Sequence, residues 1–131
     1  MIVTDASAIT DVLLARPPAP AIRMALAIHA EVHVPEHFHV EVISALRRYA
    51  LRGELGERRA AAALNALTEL RAVRYPVLEQ RDAIWDLRER LSAYDAAYLV
   101  LARRLDVSLL TTDNGLAAAA RAEGRLVELS A

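Results

Sequence analysis

Apolar positions along this chain switch between two spacings, and acids stand at several of the changeovers. Ile2-Val3-Thr4 is a β-branched run that stops at Asp5, after which Ala8, Ile9, Val12, Leu13 and Leu14 recur at helical intervals, predicting strand, turn, helix. Pro17, Pro18 and Pro20 end that helix and stiffen the connection. A second helix is expected over 21–30, and Val32-His33-Val34 reads as a short strand closed by Pro35. Residues 36–52 return to helical spacing, with Phe38, Val42, Ala45, Leu46 and Tyr49 on one stripe and Gly53 as the stop. Further helices are predicted over 56–71 and 79–91, separated by a brief strand at 72–75 that Pro76 terminates. Ser92 opens a helix reaching Leu105. Residues 107–111 form the most continuous strand-like run, a last helix covers 116–123, and 125–129 reads as a closing strand.

Strands alternating with helices predict a single α/β domain over 1–131, with a mostly parallel sheet and helices on both faces. At 131 residues and 55 % hydrophobic content the chain can bury a core without disulfides or a structural metal. No window approaches a membrane span and Met1-Ile2-Val3-Thr4-Asp5 is no basic leader, so a cytoplasmic protein with no membrane partner is expected. The absence of Cys removes thiolate chemistry and Cys-type zinc sites. All 16 basic residues are Arg, which removes P-loop and Schiff-base chemistry; the net charge of −1 argues against a broad basic nucleic-acid surface.

The acids change the picture most. Asp5 and Asp113 follow the ends of two strands, so a parallel sheet brings both to the carboxyl edge, where such folds bind ligands. Asp95 lies in the first turn of the Ser92 helix, and Glu41 borders the apolar stripe of its own helix with no Arg placed there to pair with it. Singly, each has an ordinary structural use as a helix cap or a border charge. Jointly they conflict, since like charges about 4 Å apart repel by roughly 4 kcal/mol at an effective dielectric near 20. A hard divalent cation, Mg²⁺ or Mn²⁺, resolves that conflict with oxygen ligands and keeps room for water and phosphate oxygens. This points to metal-assisted phosphodiester hydrolysis without a covalent intermediate. Ser7 and Thr112 are placed to hold the acids or to orient water, or to serve as cap and turn hydroxyls.

These stretches, Met1 to Ala8, Val40-Glu41-Val42 with Ala45-Leu46-Arg47-Arg48, Trp85-Asp86-Leu87-Arg88, Tyr94-Asp95-Ala96-Ala97-Tyr98 and Leu110-Thr111-Thr112-Asp113, resemble the PIN-domain ribonucleases, specifically VapC toxins of type II toxin-antitoxin systems. The resemblance implies a three-layer α/β/α fold and a Mg²⁺-dependent endoribonuclease. It also implies Asp5, Glu41, Asp95 and Asp113 as the acidic site, with Asp5 and Asp95 as direct metal ligands. Its partners would be an RNA such as tRNA or rRNA, a second copy in a homodimer, and a VapB-type antitoxin whose tail fills the acidic groove. His37 and His39 depart from the pattern, standing where apolar or small residues are more usual.

Other readings use the same residues. A zinc site built from His29, His33, His37 and His39 fails on spacing, because Pro35 separates His33 from His37 where strand gives way to helix. Arg47, Arg48 and Arg52 suit RNA phosphates or a solvated helix face. Tyr94 and Tyr98 suit base stacking, although helical spacing favours core packing for both. A catalytically idle PIN-fold interaction module, and a PIN nuclease of RNA maturation or of DNA, remain as alternatives.

Overall fold

The computed structural model describes residues 1–129, which form a three-layer α/β/α domain around a four-stranded sheet. In chain order the elements are β1 (Ile2–Thr4), α1 (Ala6–Leu13), α2 (Ala19–His29), β2 (Val32–Pro35), α3 (Phe38–Leu51), α4 (Glu57–Glu69), β3 (Ala72–Tyr75), α5 (Arg81–Asp86), α6 (Ala93–Leu105), β4 (Leu109–Leu110) and α7 (Asn114–Ala122), with a 3₁₀ turn at Leu78–Gln80 before α5. The strand order is β3-β2-β1-β4, and every pairing is parallel. β1 is therefore central, with Val3 opposite His33 on one side and Leu109 on the other.

β1, β2 and β4 are buried on both faces, as suits a parallel sheet between helix layers, whereas β3 at the edge leaves Val73 and Arg74 exposed. Ile2, Val3, Val34, Leu109 and Leu110 are fully covered. α6 lies against β1, β2 and β4, and its residues from Ala96 to Ala102 are all buried. A helix apolar all round belongs inside a core, and this one sits under the middle of the sheet. α1 packs on α2, α3 and α4, making a second group of helices. Asp5 and Asp113 cap α1 and α7, accepting from the amides of Ala8 and Leu116, and Ser92 caps α6 by accepting from the Asp95 amide.

Several boundaries differ from the sequence expectation. Pro20 falls inside the first turn of α2, where its missing amide proton costs nothing. The helix expected over 79–91 is α only from Arg81 to Asp86, and shorter i−3 bonds at Leu87 and Arg88 then turn the chain as Leu87 and Leu91 are buried. Strand 107–111 shrinks to Leu109–Leu110, because Asp106 takes a left-handed conformation (φ 54°) and the Val107 amide still bonds the Ala102 carbonyl, closing α6. The expected strand 125–129 is a single parallel bridge, Leu126 to Leu109; two-residue β4 offers it little to pair with.

Candidate functional site

β1 and β4 both end in acid-bearing turns at the carboxyl edge of the sheet, and the helix starts beside them complete the site. A cavity of about 570 Å³ opens there, with Asp5, Glu41, Asp95 and Asp113 all in its wall. Four acids separated by up to 108 positions are thus gathered at one place, and Asp11, Arg48, Tyr94 and Tyr98 line it with them. Ser7 lines it too, whereas Thr112 stands behind Ser7 and Asp11.

Asp5 is 3 % exposed and wrapped in hydroxyls. Ser7 Oγ lies 2.8 Å from each of its carboxylate oxygens, the Ala8 amide donates to Oδ1 at 3.0 Å, and Thr111 Oγ1 donates to Oδ2 at 2.5 Å. Those bonds favour the ionised form, yet burial outweighs them and, with the nearby Asp95 charge, lifts the Asp5 pKa to about 6. Thr111 also accepts from the Asp113 amide at 3.0 Å, so one hydroxyl ties the turn after β4 to the turn after β1. Thr112 donates to Asp11 Oδ2 at 2.8 Å, and its amide donates to Ser7 Oγ at 3.1 Å.

Glu41 is held differently. Tyr98 donates its hydroxyl to Oε1 at 2.6 Å, and His37 Nε2 stands 3.1 Å from the same oxygen. Burial pushes Glu41 upward, but the bonds from His37 and Tyr98, with the charges of His37 and Arg48, leave its pKa below the ordinary carboxylate value. Burial first, then the bond and charge of Glu41, drives the Tyr98 phenol far upward, so it remains a donor. Asp95 moves upward through burial and then through the charges of Asp113 and Glu41. These mutual shifts are the electrostatic mark of acids sharing one space.

Among the described residues, no Arg or His forms an ion pair with Asp5, Asp95 or Asp113, and no three His or acidic side chains converge as a preformed ion cage. An all-oxygen donor set with uncompensated charge fits a hard cation that takes one or two carboxylates and fills its remaining positions with water and phosphate oxygens. Asp5 and Asp95 could hold such an ion, with Asp113 adding charge.

Tyr98, Thr111 and Asp11 are the contributors that sequence reasoning missed. The partners of Tyr98 and Thr111 lie 57 and 106 positions away, so the local signal was no more than a hydroxyl after a strand for Thr111 and a position on an apolar helix for Tyr98. Tyr98 packs in the core as expected, at 1 % exposure, whereas Tyr94 is 62 % exposed. The histidines do not cluster. His33 is buried between Tyr75 and Glu31, His37 serves Glu41, His39 packs edge-on against Phe38, and His29 offers its carbonyl to the N-terminal amine.

The PIN domain family matches residues 2–122. The chain is 42 % identical over 113 residues to ribonuclease VapC9 of Mycobacterium tuberculosis, covering 86 % of each chain. It is 40 % identical over 118 residues to ribonuclease VapC1 of the same organism, covering 89 % of each. Its fold is similar to that of PAE2754 from Pyrobaculum aerophilum, with a TM-score of 0.71 and 22 % identity over 95 % of this chain and 81 % of that one. It is also similar to M. tuberculosis VapC20, a sarcin-ricin loop cleaving toxin, with a TM-score of 0.67 and 19 % identity over 91 % and 95 % of the two chains. At those identities the structural likeness speaks for the fold alone.

Proposed function

The chain belongs to the PIN-domain family, with the VapC ribonucleases among its relatives, and on that premise we propose that it is a Mg²⁺-dependent endoribonuclease toxin. The observation that carries this reading is the gathering of Asp5, Glu41, Asp95 and Asp113 in one cavity, three of them without a cationic partner among the described residues. Asp5 and Asp95 are the metal ligands in this reading, and Mn²⁺ would satisfy the same donors. Bound there, the ion would polarise a phosphoryl oxygen and make water a better nucleophile.

The side chains supply the rest. Ser7, Thr111 and the Ala8 amide hold the Asp5 carboxylate in one orientation, so little ordering remains for ion binding. Glu41 receives both its bonds on Oε1, which leaves Oε2 to accept a hydrogen bond from the attacking water. Its lowered pKa makes it an orienting acceptor and a weak base. The water oxygen forms the new bond to phosphorus as the water gives up a proton to solvent, the bond to the leaving ribose oxygen breaks, and that oxygen takes up a proton from solvent.

A homodimer in the cytoplasm, neutralised by a VapB-type antitoxin whose tail enters the acidic cavity, completes the proposal. Family membership supports it, and a cavity with five acids and one Arg in its wall suits a cationic tail. The deciding experiment is sequencing of cellular RNA 5′ ends after brief expression of wild type and Asp95→Asn. New ends that need both wild-type protein and Mg²⁺ support the proposal and identify the RNA. Identical profiles, with no Mg²⁺-dependent cleavage by purified protein, would refute it.

A further inference from the structure

Of the three tyrosines in the cavity wall, Tyr94 is the exposed one; Tyr49 is half-buried with Arg16 and Arg52 over its ring. Tyr94 precedes Asp95 in the first turn of α6, and its ring is 62 % exposed while Tyr98, one turn on, is 1 % exposed. The His37 ring stands against both, at centroid distances of 5.8 Å to Tyr94 and 5.1 Å to Tyr98. His37 Nε2 also lies 3.2 Å from the Tyr94 carbonyl oxygen. Backbone and ring are therefore braced from the α3 side, yet among the described residues the Tyr94 hydroxyl has no hydrogen-bond partner. So exposed a phenol adds little to stability, since most of its apolar surface stays in water.

Phosphates are repelled by most of this cavity. Asp5, Asp11, Glu41, Asp95 and Asp113 share the wall with one Arg, Arg48, while Arg16 pairs with Asp11 and His37 with Glu41 from beside it; among the described residues the Arg48 guanidinium bonds Ser44 Oγ, at 3.5 Å. An anionic strand entering such a place gains from a contact that is indifferent to charge, and aromatic stacking on a base is that contact. We infer that Tyr94 is a specificity-determining residue, stacking on the base of a nucleotide next to the scissile phosphate while Arg48, elsewhere in the cavity wall, faces the backbone. The inference rests on the ribonuclease reading above, and it assigns the substrate a base that is free to leave its neighbours.

Two measurements on purified full-length protein test it. In the first, fluorescence anisotropy follows binding of fluorescein-labelled oligoadenosine and oligouridine 12-mers to wild type, Tyr94→Ala and Tyr94→Phe. Wild type and Tyr94→Phe should prefer the better-stacking oligoadenosine, and Tyr94→Ala should lose that preference with its melting temperature unchanged. In the second, a 12-mer spanning the mapped cleavage site is compared with versions made abasic on either side of the scissile bond. Tyr94→Ala should lower kcat/KM by roughly 10- to 100-fold, chiefly through KM, and one abasic substitution should make wild type and Tyr94→Ala equal. Mg²⁺-dependent cleavage with Tyr94→Ala matching wild type overturns the stacking role and leaves the ribonuclease reading intact. Equal loss of both 12-mers in Tyr94→Ala also overturns it. No cleavage by wild type, with a Tyr94-dependent preference for oligoadenosine, overturns the ribonuclease reading instead and supports the stacking.

Discussion

Asp5 and Glu41 face the same cavity and have been solved in opposite ways. Asp5 is buried among hydroxyls with no cation among the described residues, and its pKa has risen to about 6. Glu41 is half-buried beside His37 and Tyr98, and its pKa has fallen. Hydroxyl bonds favour the ionised form of both acids, but at Asp5 deep burial outweighs them, whereas at half-buried Glu41 the bonds from His37 and Tyr98, with the charges of His37 and Arg48, outweigh burial. The contrast separates a carboxylate kept in want of positive charge from one already supplied.

The sharpest way to break this comparison is to neutralise each side. Asp95→Asn and Asp5→Asn should each reduce RNA cleavage by roughly 10³-fold or more, read as kcat/KM in Mg²⁺. The two sites should then part in stability. A rise of about 2 pKa units at Asp5 corresponds to about 3 kcal/mol of strain when ionised, so Asp5→Asn should raise the metal-free melting temperature above pH 6. Glu41→Gln should lower it, because the lowered Glu41 pKa means that its ionised form stabilises the fold. Shifts of the same sign in thermal melts would end the distinction.

The same difference governs metal and pH. Mg²⁺ should stabilise wild type by about 2.7 kcal/mol at a hundred times its dissociation constant, and Asp5→Ala should remove most of that melting shift. The folded state holds the Asp5 proton more tightly than the unfolded chain does. Its contribution to metal-free stability is therefore present in acid and is lost as pH rises from about 4 through about 6. The Mg²⁺-induced shift should follow the opposite course, disappearing as pH falls through 6 because the ion competes with that proton. Melting curves across pH 4.5 to 8, with and without Mg²⁺, would check both directions.

What could be read in the chain was local, and what could not was the pairing between distant stretches. Ser92 as a cap, the strand before Asp5 and the helix after Asp113 follow from neighbours within four residues, and the structure has them. The strands at 107–111 and 125–129 were overextended because apolar β-branched sequence reports burial, whereas strand length depends on the partner beside it. Nothing near Glu41 announced Tyr98, and nothing near Asp5 announced Thr111; only the β1-β4 pairing and the position of α6 beneath it bring them together. His37, read as a departure from the family pattern, is Glu41's partner one helical turn away.

The smallest effect tests that last arrangement. Tyr98→Phe keeps the buried ring and removes only the hydroxyl that Glu41 accepts, so packing of α6 should survive. A hydrogen bond to a charged group contributes about 1.5–3 kcal/mol; Glu41 keeps His37 and some solvent, which sets the expected loss at the lower end, near 1.5 kcal/mol in denaturant melts. Without the phenol the Glu41 pKa should rise, so the loss should be full at neutral pH and shrink as Glu41 is protonated in acid. His37→Ala should act in the same sense, and the double variant should lose more than the two single losses added together, because the second removal leaves a half-buried carboxylate with neither partner. Strict additivity in that cycle would mean that the two residues hold Glu41 independently, and that its compensation does not reside in this pair.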